Sequence, residues 1–185
     1  MIRKLLLFLF LVLSGCTTGS FFSIGKSNLE IHSMGLNRIV LLADCDTIVC
    51  TEGFANEGDI WMTDIPMDQI QNGNILNGQI IHLQVLWTPV AGKTPLASTS
   101  TNLAIEHIII SNGNVGIYGG GGYCWKYGNP EDGMHLLIED ATIAIHEQSA
   151  DFADLLTPAT MNGSVRSIPD TTLAKQIAAA ANLLR

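Results

Sequence analysis

The stretch His107-Ile-Ile-Ile-Ser-Asn112-Gly113-Asn-Val-Gly-Ile-Tyr118 decides the fold. Two apolar runs, 108–110 and 115–117, flank an Asn-Gly pair, which readily supplies the two positive φ angles of a type I′ turn. That pattern predicts an antiparallel hairpin. Working outward, residues 79–87 alternate: Ile81, Leu83, Val85 and Trp87 share one face while His82 and Gln84 share the other, so the first face belongs in a core. Comparable short runs recur at 29–34, 38–43, 47–50, 59–63, 102–111, 123–127, 135–147 and 164–168, separated by turn residues. Asn162-Gly163 offers a second turn.

Few segments read as helical. Pro66 to Gln71 has the look of a short helical turn, with proline at its start and Gly73 beyond its end. At the C-terminus, Asp170 or Thr171 can cap a helix whose Leu173, Ile177, Ala181 and Leu184 fall on one stripe. The expected architecture is therefore mainly β: an antiparallel, β-sandwich-like single domain over 29–185, with a C-terminal α-helix at about 171–185. A faint echo between Leu103-Ala-Ile-Glu106 and Leu136-Leu-Ile-Glu139 is too weak to make a repeat array.

Residues 1–15 join the basic pair Arg3-Lys4, an apolar run from Leu5 to Leu13 and the small pair Ser14-Gly15. This is the layout of an export signal. The apolar run falls well short of the roughly 20 residues that a membrane span needs. Leu13-Ser14-Gly15-Cys16 resembles the lipobox of bacterial lipoproteins. The resemblance covers only these residues; it implies diacylation of Cys16, removal of residues 1–15, and acylation of the new amine. It also implies a lipid bilayer as partner and the cell envelope as location. Thr17 stands where lipoproteins kept at the inner membrane often carry Asp, which favours an outer membrane facing the periplasm in an organism that has one. Residues 16–28 then form the lipidated cysteine and a flexible tether, whose reach is at most roughly 40 Å.

The chain of 185 residues carries 9 basic and 17 acidic side chains, a formal charge of -8. Loss of Arg3 and Lys4 with the leader deepens that to about -10. Nucleic-acid binding depends on Lys and Arg neutralising phosphates, so no nucleic-acid partner is expected. The same balance argues against peripheral attachment to anionic lipid by charge alone. Cys45, Cys50 and Cys124 remain besides Cys16, an odd number in a compartment that permits disulfides. A Cys45–Cys50 bridge, or one from either to Cys124, is open, with one thiol left over. Cys45 and Cys50 have no second paired ligand motif of the zinc type, so neither metal nor cofactor is expected.

Catalytic signatures are absent: the chain has no Gly-x-Ser-x-Gly elbow, no phosphate loop and no His-Glu-x-x-His. Asp44-Cys45-Asp46 places two carboxylates beside a thiol, the ingredients of acid, base and nucleophile, although a polar turn explains it more simply. His32, His82, His107, His135 and His146 are scattered along the strands, with no pair at ligand spacing.

The most unusual stretch is Tyr118-Gly-Gly-Gly-Gly-Tyr-Cys-Trp-Lys-Tyr127, which holds all three tyrosines of the chain. In an extended strand Tyr123, Trp125 and Tyr127 point to one side, as a surface for sugars or a protein would require, or as a core would. The glycine backbone at Gly120 and Gly121 can approach a ligand closely. The binding candidates are therefore Tyr118, Gly120, Gly121, Tyr123, Trp125 and Tyr127. Residues 88–101 form a long connection that is a second candidate. The reading of function is a membrane-anchored envelope protein that binds or scaffolds an envelope protein or glycan. The alternative is an envelope hydrolase using Asp44, Asp46 or a histidine as acid or base.

Overall fold

The computed structural model describes residues 25–35, 39–51, 57–92, 94, 100–129 and 131–185. The expected export signal, Cys16 and the tether as far as Ile24 lie outside the described residues. Eleven strands carry the fold: β1 Lys26–Ser27, β2 Glu30–Ser33, β3 Val40–Leu42, β4 Thr47–Cys50, β5 Gly58–Thr63, β6 Gly78–Val85, β7 Leu103–Ser111, β8 Asn114–Asn129, β9 Gly133–Gln148, β10 Ala159–Arg166 and β11 Ile168–Pro169. The helices are α1 Met67–Asn72 and α2 Thr171–Leu183. The mainly β, antiparallel architecture with a C-terminal helix is what the structure has.

The strands form one sheet in the order β11-β4-β5-β6-β7-β8-β9-β10-β2-β3, with β1 pairing on β10 beside β2. All pairings are antiparallel except β11 with β4. Only Ser167 separates β10 from β11, so the sheet curls until chain from its far side meets β4. Ser167 stitches that junction: its backbone N–H donates to the Met134 carbonyl at 2.8 Å. The layering expected of a sandwich thus comes from a single sheet rolled upon itself.

Alternation along the strands then fills two cores. Ile81, Leu83 and Val85 of β6 turn inward with Leu103, Ile105, Met161 and others into the space enclosed by the curl. Ile80, just before them, faces outward, with Val49, Trp61, Ile108 and Ile110, beneath Ala174, Ile177 and Ala181 of α2. Strands buried on both faces explain why the sequence has near-continuous apolar runs such as Ile108-Ile-Ile110. α2 therefore lies on the outer face of β4 and β5, its first turn capped by the Asp170 carboxylate, which accepts from the Leu173 amide at 2.9 Å.

Turn chemistry follows the sequence at Asn112 (φ 50°) and Gly113 (φ 78°), which join β7 to β8 as expected. Gly73 (φ 70°) ends α1 in the left-handed conformation. Asn162-Gly163 departs from expectation. It lies within β10, where the register to β9 shifts, and is a bulge instead of a turn. The two expected runs 114–118 and 123–127 are one strand of 16 residues. The sheet also starts earlier than the expected tether end at 28, since Lys26 and Ser27 pair with Arg166 and Val165.

Candidate functional site

β8 distributes the sequence candidates between two sides of the sheet. Tyr118 turns inward and is 1% exposed. Its hydroxyl donates to Asp154 Oδ1 at 2.9 Å, and the same oxygen accepts the amides of Leu156 and Thr157. Burial alone would raise the Asp154 carboxyl, but a hydrogen bond from the Thr157 side chain, together with these bonds, outweighs it and holds it below the usual carboxylate range. Burial, reinforced by Asp154, pushes the Tyr118 hydroxyl well above its ordinary value. A neutral phenol and a charged carboxylate result, and they pin the segment 149–158 over the end of the curl.

Beside Tyr118 lies a cavity of about 390 Å³, open to solvent. Ile39, Leu41, Ile109, Phe152, Leu155 and Leu156 supply apolar walls, and Ser111, Asn112, Asn114 and Asp151 stand among its polar lining residues. One wall belongs to β3, the last strand of the sheet, which among the described residues pairs only with β2. The Ser33 amide donates to the Ile39 carbonyl at 2.8 Å and the Ala43 amide to the Leu29 carbonyl at 3.0 Å. In an antiparallel ladder this register gives Ile39 and Leu41 the bonds to β2, and turns the amides and carbonyls of Val40 and Leu42 to the free edge. Val40 and Leu42 are also 51% and 60% exposed. An open strand edge therefore runs along an apolar cavity. Nothing in the sequence marks β3 as an edge, because edge position is a property of the sheet.

The four glycines after Tyr118 answer to crowding. A Cβ on Gly120 would collide with the Thr142 carbonyl oxygen, and one on Gly121 would stand 2.6 Å from the Leu103 oxygen. A Cβ on Gly122 would stand 2.5 Å from Ala141. Register shifts between Ile117 and Tyr118 and between Gly121 and Tyr123 mark the same place. Here β8 bends between β7 and β9 at a spacing that admits no side chain.

Tyr123, Trp125 and Tyr127 point outward, opposite to the buried Cys124. Tyr123 and Trp125 meet edge to face at 5.3 Å, and Trp87 joins them at 6.3 Å from Tyr123. The Trp87 indole N–H donates to the Thr101 carbonyl at 3.1 Å, so both ends of the 88–101 connection come to this aromatic group. Most of that connection's tip, at 93 and 95–99, lies outside the described residues. Tyr127 is 53% exposed, its ring 5.8 Å from His135 of β9.

The Asp44-Cys45-Asp46 segment lacks a reactive thiol. Burial, with Asp64, Asp44 and Asp46 nearby, pushes the Cys45 thiol far above its ordinary value, whereas a nucleophile needs the thiolate. Cys50 and Cys124 are buried, and none of the three cysteines is bridged to another. No Cys45–Cys50 bridge forms, and β4 extends the chain by about 10 Å from Thr47 to Cys50. The histidines stay separate: His32 bonds Glu30, His82 bonds Asp59 while stacking on Trp61, and His107 bonds Gln79 inside the curl. Among the described residues no group of three His, Cys, Asp or Glu side chains could hold a metal ion.

No protein-family model, no curated protein and no solved structure matches this chain.

Proposed function

We propose that this chain is a lipid-anchored protein of the bacterial envelope that captures an extended segment of an envelope polypeptide along β3. The observation that carries the reading is the coincidence of a free strand edge with an apolar cavity. The outward amides and carbonyls of Val40 and Leu42, without a strand partner among the described residues, offer backbone hydrogen bonds to an incoming strand. The space lined by Leu41, Ile109 and Phe152 accepts its alternate side chains. Burying two such side chains would contribute about 3–6 kcal/mol before ordering costs, a range that suits a reversible complex. Attachment through Cys16 confines the partner to the envelope, and the leader residues 1–16 support that attachment.

The test uses peptides selected for binding to the mature protein from a random library. Leu42→Pro removes an outward amide without touching a bond to β2, and Leu41→Asp places a charge in the cavity. Each is expected to weaken a selected peptide at least tenfold, while Tyr127→Ala leaves binding unchanged. Peptides insensitive to both β3 substitutions would overturn the reading. For the anchor, labelled palmitate is expected to enter the protein and to be lost in Cys16→Ser.

A further inference from the structure

On the outer face of the sheet, directly paired residues of four neighbouring strands form one row: Tyr127 of β8, His135 of β9, Arg166 of β10 and Lys26 of β1. All four are exposed. A shallow cavity of about 230 Å³ lies along it, lined by Lys26, Asn28, His135, Ser164 and Arg166. The next row inward is Trp125, Leu137 and Ser164, again directly paired. α2 covers β4 and β5, and among the described residues no helix covers this part of the sheet.

Two features of the row are out of character for this chain. Like charges directly opposite on neighbouring strands repel, yet Lys26 and Arg166 face each other, and neither has an ion-pair partner among the described residues. They do so in a protein with 17 acids against 9 bases. The row also runs from this cation pair straight into tyrosine and tryptophan, the residues that favour the boundary between water and lipid. An aromatic group beside paired cations matches headgroup phosphates above a hydrocarbon edge.

Position within the chain selects the same partner. Among the described residues Lys26 is the first in a strand, ten positions after Cys16, so at roughly 3.3–3.6 Å per residue it stays within about 35 Å of that residue. Along the chain its strand is therefore the described strand nearest the anchor. We infer that the Tyr127–His135–Arg166–Lys26 face lies against the phospholipid headgroups of the anchoring bilayer. The inference rests on reading Cys16 as the lipidated residue. Acyl chains supply the affinity, and the acidic remainder of the surface is pushed away from anionic lipid, so the cation pair sets which way the domain faces. The β3 edge is left to its polypeptide.

The test uses the mature chain, purified from membranes, in vesicles of phosphatidylethanolamine and phosphatidylglycerol that carry a headgroup nitroxide lipid. With Trp61→Phe, emission comes from Trp87 and Trp125 alone, since the chain has 3 tryptophans. That emission is expected to be quenched. Lys26→Glu with Arg166→Glu should shift the docked-to-undocked ratio roughly tenfold or more toward undocked and relieve the quenching, with co-sedimentation unchanged. Lipid present on Cys16 but quenching absent, or equal in both proteins, overturns the inference and leaves the anchor standing. Cys16 without lipid overturns the anchor; the face is then judged by co-sedimentation of that same chain with phosphatidylglycerol vesicles. Binding lost on charge reversal supports the face, and absence of binding overturns it.

Discussion

His107 Nε2 lies 3.0 Å from Gln79 Oε1, inside the curl, where the imidazole is fully buried and its Nδ1 has no hydrogen-bond partner among the described residues. Gln79 is itself held by Asp64, whose carboxylate accepts from the Gln79 side chain and backbone amide at 3.2 and 2.7 Å. Burial lowers the His107 pKa from 6.5 to about 3. The unfolded chain therefore binds one more proton than the folded chain between those values. Stability from this group is complete above about pH 6.5 and drains away as pH falls toward 3, at up to about 1.4 kcal/mol per pH unit. Urea unfolding at pH 4.5 is expected to show a loss of about 2–3 kcal/mol relative to pH 7 from this residue. His107→Gln, weaker at pH 7, should have a correspondingly shallower pH slope, and an equal slope would refute the assignment.

Tyr118→Phe deletes the hydroxyl that reaches Asp154 and leaves the ring in place. Because the acceptor is charged, the expected loss is about 1.5–3 kcal/mol in urea unfolding. Hydrogen exchange at the Leu156 and Thr157 amides, bonded to that same carboxylate, should speed up as well. Unchanged exchange there would mean that the hydroxyl does not hold the 149–158 segment.

Gly120→Ala and Gly113→Ala separate crowding from backbone freedom. At Gly113 the side chain meets open space, and the cost is only that of φ 78°, about 1–2 kcal/mol. At Gly120 the new methyl runs into the backbone of β9, which must move. A loss of about 3 kcal/mol or more is expected, or failure to fold. Equal thermal midpoints for the two proteins would contradict the close approach of β8 and β9.

Asp170→Ala removes the side-chain cap at the start of α2 and should cost about 1 kcal/mol. Ile177→Ala, at a buried position over β4 and β5, should cost about 2–5 kcal/mol. The ordering matters more than the values. A cap worth more than the core residue would mean that α2 is not held by packing.

Much of the scaffold was legible because its causes are local. The Asn112-Gly113 pair, the alternation of Ile81, Leu83 and Val85, and the stripe of Leu173, Ile177 and Ala181 each act within one or two elements, so the residues concerned lie close together in the chain. Tyr123, Trp125 and Tyr127 share a side for the same reason. Asn162-Gly163 misled because a bulge and a turn ask for the same left-handed residue, and only the partner strand tells them apart. The pairing of Cys45, Cys50 and Cys124 was left open by the sequence, and no bridge among them forms.

By itself the sequence determined the strand content, the capped C-terminal helix, the acidic balance and the common side of Tyr123, Trp125 and Tyr127, since each follows from steric and charge rules between near neighbours. Tertiary structure alone decided that β3 would be a free edge, that Tyr118 would part from Tyr123 across the sheet, and that Lys26 would meet Arg166 from 140 positions away. Those relations depend on how strands distant in the chain pair and how far the sheet curls. Strand pairing is chosen by the summed burial of many side chains, and no short stretch of residues contains that sum.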